Sequence, residues 1–502
     1  MNNSLGREIF ANSRPFVSAN AFLKEKRRLI PEKPTSATVR FYDDLETAFR
    51  DLAIKDGMTL SFHHHLRSGD NVLNMVASLI AKYAIKDLHL APSSIFPEYK
   101  LSDLILNHQI RNITTNYLNG PVAKTIAGGQ LQGTLLMHTH GGRARAIESG
   151  DLAIDVAFLA CPAVDRQGNG SGAFGINACG TLGYAESDLK YAKKVVLVTD
   201  TLVDELSMWQ FDHKYVDMVV KVPSIGDAGG IVSGTTRITR DPIGLKIAQD
   251  TAELVRELGV IKNGFSMQTG AGGTSLAVAD AIGKIMQTQN ITGAFASGGI
   301  TGYFVEMLGK GLFQKLYDVQ CFDLAAVESF RTNPAHIAIS ASKYGNPFET
   351  SPVVDDLDLV ILGAAEVDLS FNVNVTTDSF GNIIGGSGGH ADTAHGAKLA
   401  IITSTLAKAR IPLIKSEVRT ITTPGSDIDA IVTERGIAIN PNRGDLLERL
   451  KGTSLKIMRI EELMDLQHRL GGIPKELPKT NAAVGYVEYR DGTIIDTIYR
   501  TG

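Results

Sequence analysis

The chain has 502 residues, which is more than one hydrophobic core usually organises, so two or three domains are expected. Hydrophobic residues make up 43% of the chain and charged residues 21%, a balance typical of soluble globular proteins. The formal net charge is −4 and no basic block occurs, which argues against nucleic acid or an anionic membrane surface as the partner. Because the sequence contains neither a long apolar span nor a hydrophobic signal core, we expect a cytoplasmic protein.

The predicted elements begin after a polar N-terminal arm, residues 1–35, which prolines interrupt. A strand is predicted at 57–62, and apolar residues at helical spacing predict a helix that runs to Tyr83. Strands alternating with helices indicate a parallel α/β sheet, and we assign this first domain to residues 36–230. Further apolar runs predict strands at 133–138, 154–161, 195–198 and 216–222.

The second half repeats this order with little sequence identity. Asp241 and Pro242 are typical of a helix start, because aspartate caps the first turn and proline suits its first position. A predicted strand at 264–268 then leads into a glycine loop and a further helix. We therefore predict two similar open α/β domains with mainly parallel sheets, the second at residues 231–502, which ends in a C-terminal β-hairpin at 484–498.

Neither the cysteines nor the histidines form a recognisable metal-binding motif. The three cysteines form no CxxC pair, and we expect reduced thiols, with Cys161 inert in the core. His63, His64 and His65 are adjacent, so at most two of their side chains can face one site in extended chain. We predict no metal and interpret these histidines as a polar lining for an acidic substrate.

The most informative segment is Gly363–Leu369, which a glycine-rich turn at 385–390 follows. It places Glu366 at the end of an apolar run, with Asn372 and Asn374 available as hydrogen-bond donors. In a dry site beside free backbone N–H groups, such a carboxylate could attack a thioester while those groups hold the oxyanion. The alternatives are a solvated carboxylate at a strand end and a mobile surface loop.

Two glycine-rich segments, 269–274 and 385–390, could cradle an anion with their backbone N–H groups. The first precedes a predicted helix, and a helix N-terminus favours a phosphate or a carboxylate. Neither segment matches the P-loop or the dinucleotide-binding fingerprint.

A basic segment at 137–145 follows a predicted strand and contains His138, His140, Arg143 and Arg145. Parallel α/β sheets bind ligands beyond the carboxyl ends of their strands, and arginine binds carboxylates through two parallel hydrogen bonds. We therefore predict that this segment contributes to a pocket for a substrate with several carboxylates. The alternative is a solvated basic turn.

Taken together, these stretches resemble the citrate lyase alpha-subunit family over nearly the whole chain, from about residue 51. The resemblance implies CoA-transferase-like α/β domains and an enzyme that exchanges acetate for citrate on an acyl thioester. It also implies a gamma-subunit acyl carrier protein with a dephospho-CoA-derived group, and a beta subunit that cleaves the citryl thioester. The stretches that carry the resemblance are 57–64, 140–143, 154–159, 264–270, 371–375 and 385–390.

A more distant similarity links Ala364–Leu369 and the glycines at 385–389 to the acetyl-CoA hydrolase/transferase group. In that group the matching glutamate attacks the thioester, and glycine N–H groups form the oxyanion hole. Citrate lyase transferases are instead usually classed as enzymes that join their two substrates in an anhydride. In that case Glu366 would have a positioning role. Both routes remain open from the sequence.

The motifs and the resemblance together assign a hypothetical role to each site residue. Glu366 acts as the nucleophile or positions the anhydride, and Gly388 and Gly389 supply oxyanion N–H groups. The residues expected to bind citrate are Arg143, Arg67, His63, His64, His140, Asn372 and Asn374. The glycines expected to approach acetyl-CoA or the carrier-bound arm are Gly270, Gly272, Gly273, Gly385 and Gly386.

Three other functions are compatible with these residues. A citramalate lyase transferase would differ only in its acid substrate, and a CoA-dependent acetate or acyl transferase would accept monocarboxylates. A metabolite-binding sensor would bind without turnover, but it would leave the pairing of Glu366 with the glycine turn unexplained. We expect an oligomer in each enzymatic case.

Overall fold

The structure is a computed structural model that describes residues 1–19, 29–35, 38–232, 237–270, 272–408, 411–473, 478 and 480–501. The strands of the first half are β1 (Arg40–Tyr42), β2 (Thr59–Phe62), β3 (Leu88–Pro92), β4 (Ile110–Thr115), β5 (Leu135–Met137), β6 (Val156–Ala160), β7 (Ala163–Asp165), β8 (Gly170–Ser171), β9 (Lys194–Thr199), β10 (Leu202–Val203) and β11 (Met218–Lys221). The helices of this half are α1 (Leu45–Asp51), α2 (Val72–Lys82), α3 (Ser102–Leu106), α4 (Gly120–Ala127), α5 (His140–Ser149) and α6 (Glu186–Tyr191).

The remaining elements follow residue 240. The strands are β12 (Ser266–Thr269), β13 (Gly293–Ile300), β14 (Phe313–Cys321), β15 (His336–Ala338), β16 (Leu359–Leu362), β17 (Glu366–Asp368), β18 (Val373–Asn374), β19 (Ala400–Thr403), β20 (Ala407–Lys408), β21 (Ile411–Pro412), β22 (Ile414–Lys415), β23 (Ala430–Thr433), β24 (Gly436–Ile439), β25 (Ile457–Met458), β26 (Ala483–Glu488) and β27 (Ile494–Tyr499). The helices are α7 (Pro242–Glu257), α8 (Gly273–Gln289), α9 (Gly302–Gly309), α10 (Leu324–Thr332), α11 (Ala341–Gly345), α12 (His390–Gly396), α13 (Gly444–Arg449) and α14 (Ile460–Gly471).

The first large sheet has ten strands in the order β1-β11-β9-β6-β2-β3-β4-β5-β26-β27. Its neighbours pair in parallel except β26 and β27, which form the predicted hairpin at one edge. Every residue of β6 is buried, because helices and loops cover both faces of a parallel sheet. This continuous burial explains why an unbroken apolar run marks this strand in the sequence.

The second large sheet has nine strands in the order β15-β14-β13-β12-β16-β19-β23-β24-β25. Only β23 and β24 pair antiparallel, so the prediction of mainly parallel α/β sheets is confirmed. The predicted start of α7 is also present, since the Asp241 carboxylate accepts the Gly244 N–H (3.3 Å) and Pro242 is the first helical residue.

The two ends of the chain pack together against the first sheet. The terminal hairpin extends that sheet because β26 pairs in parallel with β5, although the predicted boundary assigns these residues to the second domain. The boundary near residue 230 itself stays a prediction. In the arm, the Asn3 side-chain amide donates to the Ile494 and Ile495 carbonyls (3.2 and 2.7 Å), while residues 20–28 lie outside the described ranges.

A continuous apolar cluster contains buried side chains from both large sheets, and two smaller clusters flank it. The carboxyl ends of the central strands of the second sheet face the segments that follow β4 and β5 of the first. Within the described ranges, no helix combines the length and the apolar character needed to span a bilayer.

Candidate active site

A cavity of about 330 Å³ opens where the two halves meet, at the carboxyl ends of β12, β13 and β16. This is the edge at which parallel α/β sheets bind ligands, and the volume suits a small molecule. One set of lining residues comes from the ends of these strands, from the segments that follow them and from the glycine-rich turn. These residues are Gln268, Thr269, Gly270, Gly272, Ser275, Gly298, Gly299, Leu362, Gly363, Gly386, Ser387, Gly389 and His390. The remaining walls are His140, Tyr184, Val319, Phe322, Tyr344 and Val375.

The glycine turn at 385–389 belongs to the second half but is held by the first. The Leu118 N–H donates to the Gly385 carbonyl (3.2 Å), and the His140 N–H donates to the Gly388 carbonyl (2.8 Å). These main-chain bonds bring the turn against the segments that follow β4 and β5. The sequence motifs at 140–143 and 385–390 therefore meet in space although they are 245 residues apart in the chain.

Glycine is required in this turn for two physical reasons. Gly388 has φ +52°, in the left-handed region that side chains disfavour. A Cβ at Gly386 would overlap the Asn116 carbonyl, so only a glycine permits this close approach. The turn can thus present backbone N–H groups directly to the cavity.

The two glycines predicted to supply oxyanion donors differ in availability. The Gly388 N–H donates to the Asn116 carbonyl (3.2 Å), and Gly388 is not among the lining residues. Gly389 lines the cavity, and no described residue accepts its N–H. The geometry thus leaves Gly389, but not Gly388, with a free backbone donor.

His140 lies beside this turn and lines the cavity. Its Nδ1 is 2.9 Å from the Asn116 amide nitrogen, which also donates to the Thr139 carbonyl (3.0 Å). Burial, with a smaller contribution from the Arg143 charge, lowers the pKa of His140 to about 3, so the ring is neutral near pH 7. Its ring packs against Tyr184 (4.4 Å between ring centres).

His390 is the second histidine of the wall, and both of its nitrogens are used within the protein. Nδ1 lies 2.8 Å from the Thr423 hydroxyl and Nε2 lies 3.0 Å from the Gly363 carbonyl. Because only an N–H can pair with a carbonyl, the ring donates from Nε2 and accepts at Nδ1. Burial lowers the pKa of His390 to about 4, so this ring is also neutral and serves to hold the cavity wall.

A short hydrogen-bond chain orients the Tyr344 hydroxyl, which is a further donor of the cavity wall. The Ser297 hydroxyl donates to the Gln268 side-chain carbonyl (3.0 Å), and the Gln268 amide donates to the Tyr344 hydroxyl (2.7 Å). The Tyr344 hydroxyl accepts in this chain, and no described residue accepts its own proton; the hydroxyl lies beside Gly389. Burial raises the pKa of Tyr344, so the phenol stays protonated.

The lining residues include no Asp, Glu, Cys, Lys or Arg among those that the structure describes. Among the residues predicted to bind citrate, Arg67 contacts the wall: its guanidinium stacks 4.3 Å from the centre of the ring of the lining residue Phe322. Burial lowers the pKa of Arg67, and the Tyr184 and Tyr117 hydroxyls oppose that shift. The cavity is therefore built from neutral donors, with one arginine close behind it.

Glu366 lies outside this lining, in a separate buried cluster between β17 and β18. One carboxylate oxygen accepts from the Ser379 hydroxyl (2.6 Å), and the other accepts from the Asn374 amide and the Arg419 N–H (2.9 Å each). Lys415 approaches to 3.7 Å, and Glu366 is 2% exposed. The structure thus brings Glu366 and Asn374 together, as the sequence suggests, but not against the glycine turn.

The other predicted citrate ligands also lie away from the cavity wall. Arg143 forms a two-pronged ion pair with Asp188 (2.8 and 2.9 Å) and donates to the Ser61 hydroxyl (2.7 Å). Asn372 closes a turn by donating to Asp368 (3.1 Å). These contacts pair the two terminal nitrogens of Arg143 and the Asn372 amide within the protein, because buried charges and amides require partners, while the buried Arg143 Nε has no hydrogen-bond partner among the described residues.

The adjacent histidines form an aromatic layer behind Tyr184. The His64 ring stacks on Tyr184 (4.9 Å between centres), and its Nδ1 lies 2.6 Å from the Ser93 hydroxyl. His63 is buried against His65, with their ring centres 3.8 Å apart. Burial lowers the pKa of His63 to about 3 and that of His64 well below its ordinary value, so both rings are neutral supports for the wall.

The predicted CoA-binding glycines divide into two groups. Gly270 and Gly272 line the cavity and lead into the N-terminus of the long helix α8, as the glycine-loop prediction requires. Gly386 lines the opposite wall. Gly273 and Gly385 are not lining residues: a Cβ at Gly273 would overlap the Arg237 carbonyl, and one at Gly385 would overlap the Val375 carbonyl.

Several polar residues of the site lack a motif of their own, and sequence reasoning did not find them. Gln268 could have been found, because it is the last residue of a predicted strand and so lies at the ligand-binding edge. Asn116 and Tyr344 follow no recognisable pattern. The same holds for Asp392, whose carboxylate accepts from the Thr139 hydroxyl (2.9 Å) and the Gly141 N–H (2.8 Å) and so joins α12 to the start of α5.

A buried cluster of Asp318, Cys321 and His336 also has no sequence signature. Its candidate ligand atoms lie within 4.8 Å of one another, the spacing that a metal ion needs. The Asp318 carboxylate already accepts from both the His336 ring nitrogen and the Cys321 thiol (3.0 Å each). These mutual hydrogen bonds satisfy the cluster, and they support β14 beneath the cavity.

The family model described as "Citrate lyase, alpha subunit (CitF)" matches residues 38–501. A citrate lyase alpha chain from Haemophilus influenzae is 44% identical over 461 residues, covering 91% of this chain and 92% of that protein. The alpha subunit of citrate lyase from Streptococcus mutans, solved in complex with citrate, is 42% identical with a TM-score of 0.91, covering 100% of this chain and 98% of that chain.

A more distant structure shows the wider fold. An acyl-CoA transferase from Escherichia coli O157:H7, solved as a thioester complex with CoA, is 16% identical with a TM-score of 0.53, covering 84% of this chain and 95% of that chain. The family resemblance and the CoA-transferase-like fold inferred from the sequence are thereby confirmed. The chain belongs to the citrate lyase alpha-subunit family.

Proposed function

We propose that this chain transfers the thiol carrier from an acetyl thioester to citrate, which gives a citryl thioester and acetate. The family membership supports this exchange, and so does the related structure from Streptococcus mutans that holds citrate. The observation that carries the mechanism is a cavity of about 330 Å³ with neutral hydrogen-bond donors and no carboxylate or thiol among its described lining residues. Such a wall can stabilise an oxyanion but supplies no carboxylate or thiol nucleophile of its own.

The absence of a wall carboxylate favours the anhydride route over a covalent glutamyl intermediate. A citrate carboxylate oxygen attacks the acetyl carbonyl carbon, the thiolate leaves, and an acetyl–citryl anhydride forms. The thiolate then attacks the citryl carbonyl carbon, and acetate leaves with the bridging oxygen. Both attacks place negative charge on a carbonyl oxygen, which the free Gly389 N–H and the Tyr344 hydroxyl are placed to stabilise.

Glu366 then has a positioning role in this proposal. Its carboxylate binds Ser379, Asn374 and the Arg419 N–H, and these contacts fix the segment that leads from β17 to the wall residue Val375. A carboxylate that already accepts three hydrogen bonds is a poor nucleophile, because attack would require breaking them. Arg143 has a structural role for the same reason, while Arg67 remains our candidate for attracting citrate carboxylates.

The thioester arm would enter along the N-terminus of α8. Gly270 and Gly272 let a ligand approach the backbone there, and a helix N-terminus favours a phosphate. The wall at Gly270 and Gly272 fits a narrow flexible arm because these glycines have no side chains. When bound, the CoA-derived group of a gamma-subunit acyl carrier would supply the thiol that is exchanged. A beta subunit would consume the citryl thioester by cleaving it.

The test incubates the purified chain with acetyl-CoA and, separately, citrate, citramalate or acetate, and identifies new thioesters by mass spectrometry. We expect citryl-CoA to form in preference to citramalyl-CoA. A preference for citramalate or for monocarboxylates would replace the proposed substrate by one of the alternatives. If no acid is exchanged, repeating the assay with acetylated carrier protein distinguishes a missing carrier from a protein without transferase activity.

A further inference from the structure

The protonation of the His140 ring can be derived from the surrounding hydrogen bonds. The Asn116 amide nitrogen lies 3.0 Å from the Thr139 carbonyl and 2.9 Å from His140 Nδ1. A carbonyl only accepts, so the group facing it must be the amide N–H2 and not the amide oxygen. The second N–H of that group therefore points at Nδ1, which must accept.

This arrangement fixes the position of the ring proton. An imidazole that accepts at Nδ1 and is neutral carries its proton on Nε2. Nε2 has no hydrogen-bond partner among the described residues. It lies beside Gly388, 3.3 Å from the position that a Cβ on this glycine would occupy. His140 lines the cavity, so its remaining N–H is available to a ligand beside the glycine turn.

The side-chain oxygen of Asn116 indicates that this residue serves to orient the His140 ring. Its side-chain oxygen is buried and has no hydrogen-bond partner within the described ranges. A folded core rarely leaves such an oxygen unsatisfied, because it has lost water without a replacement. Both N–H groups, in contrast, are used to hold the segment Thr139–His140.

The structure assigns His140 as a neutral hydrogen-bond donor to the carbonyl oxygen that becomes negative during acyl exchange, with Asn116 as the residue that positions it. This inference rests on the proposed transferase function and deepens it. His140 touches the ligand, whereas Asn116 acts only through His140. The ring stays neutral in acid because burial lowers its pKa to about 3, so it donates without losing a proton to the oxyanion.

The first part of the test is spectroscopic and independent of turnover. The full chain is labelled with ¹⁵N in its histidine rings, and the His140 signals are identified as those lost in His140→Gln. We expect shifts of the neutral Nε2–H tautomer at pH 7 and still at pH 5. An Nδ1–H tautomer, or an imidazolium at pH 7, would overturn the assignment.

The second part measures exchange kinetics with acetyl-CoA and citrate. His140→Ala should lower kcat by about 10²–10³-fold with little change in the KM for citrate, as expected for a lost oxyanion donor. His140→Gln should recover part of that loss because its amide also donates. His468→Gln, on the half-exposed face of α14, serves as the control and should keep wild-type kinetics.

Asn116→Asp tests the positioning role directly. A carboxylate cannot donate to Nδ1, so the ring should carry its proton on Nδ1, and kcat should fall about as far as in His140→Ala. Asn116→Ala should give a smaller loss, and it remains informative if the aspartate variant fails to fold. Wild-type kcat in Asn116→Ala and His140→Ala would refute the inference, while a wild type that exchanges no acid would refute the transferase function instead.

Discussion

The cavity around His140 and the cluster around Glu366 are both buried and polar, but only the cavity leaves donors without protein partners. In the cluster, Ser379, Asn374 and the Arg419 N–H together satisfy both carboxylate oxygens. In the cavity, the Gly389 N–H and the Tyr344 hydroxyl proton have no acceptor among the described residues. Satisfied polar groups stabilise a fold, whereas oriented and unsatisfied ones can bind a ligand or a transition state.

The two histidines of the cavity wall show the same contrast between polar groups with and without protein partners. His390 uses both ring nitrogens within the protein, on Thr423 and Gly363. His140 uses one, on Asn116, and presents the other to the cavity. We therefore expect substitutions of satisfied groups to affect stability and substitutions of open groups to affect turnover.

The largest expected effect is on stability, at the buried ion pair of Arg143 and Asp188. Arg143→Met should lower the free energy of unfolding by about 3–5 kcal/mol, because it leaves the Asp188 charge buried without its partner. Arg143→Met combined with Asp188→Leu should recover much of this loss. Urea unfolding measures both variants.

The matched control for that pair is Arg331→Met, which breaks an exposed ion pair with Glu328. Its cost should be about 0–1 kcal/mol, because both side chains are solvated. A raised KM for citrate in Arg143→Met with unchanged stability would instead restore Arg143 as a citrate ligand.

The next effect is on turnover, at the free backbone donor. In Gly389→Ala the new Cβ would overlap the Tyr344 hydroxyl and displace either the N–H or the phenol. We expect kcat to fall by about a hundredfold, or roughly 2.7 kcal/mol in the barrier, with the fold retained. Gly309→Ala is the control, because its Cβ meets nothing within 4 Å on α9. Equal kinetics in the two variants would show that Gly389 is not part of the oxyanion site.

A smaller effect concerns the dependence of stability on pH at His390. Burial lowers its pKa from 6.5 to about 4, so the unfolded chain binds more protons between these values and stability falls as the pH falls through this window. The contribution of His390 to the loss between pH 7 and pH 5 should be about 2 kcal/mol, and His390→Gln should reduce the total loss by that amount. Urea unfolding at pH 5, 6 and 7 measures the slope.

Asp70 provides a control of opposite sign for this prediction. Burial raises its pKa from 3.8 to about 7, so stability falls as the pH rises through that window. Asp70→Asn should therefore remove a loss of stability that begins above pH 3.8 and levels off at about pH 7, so its effect on the slope between pH 5 and pH 7 has the opposite sign to that of His390→Gln. A pH slope unchanged in His390→Gln would mean that His390 is solvated rather than buried.

The smallest effect is expected at Glu366. Glu366→Gln should cost about 1 kcal/mol of stability, because the amide oxygen can still accept from Asn374 and Arg419, and kcat should be unchanged. Hydroxylamine added during turnover should trap no acyl adduct on the wild-type chain. A trapped adduct that disappears in Glu366→Gln would establish the covalent route.

The parts of this molecule that follow from local pattern were predictable. The apolar run of β6, the start of α7 at Asp241, and the glycines before α8 each have a local signature, and each lies where the sequence indicates. The family resemblance also follows from such stretches. These features depend on residues close together in the chain.

The rest depends on contacts between distant segments. The sequence places a carboxylate shortly before a glycine turn, but β17 directs Glu366 toward Ser379 while the turn crosses to Asn116 and His140. Arg143 has the residue type of a citrate ligand, yet Asp188, 45 residues later, occupies its guanidinium. Neither partner could be identified from spacing or composition.

The most direct measurement is a single turnover with enzyme in excess of acetyl-CoA and with citrate labelled by ¹⁸O in its carboxylates. If citrate itself attacks the acetyl group, the released acetate carries one oxygen from citrate, and we expect this labelled acetate. If an enzyme carboxylate attacks first, the acetate of the first turnover takes its oxygen from the protein. Unlabelled acetate, formed together with citryl thioester, would contradict the account.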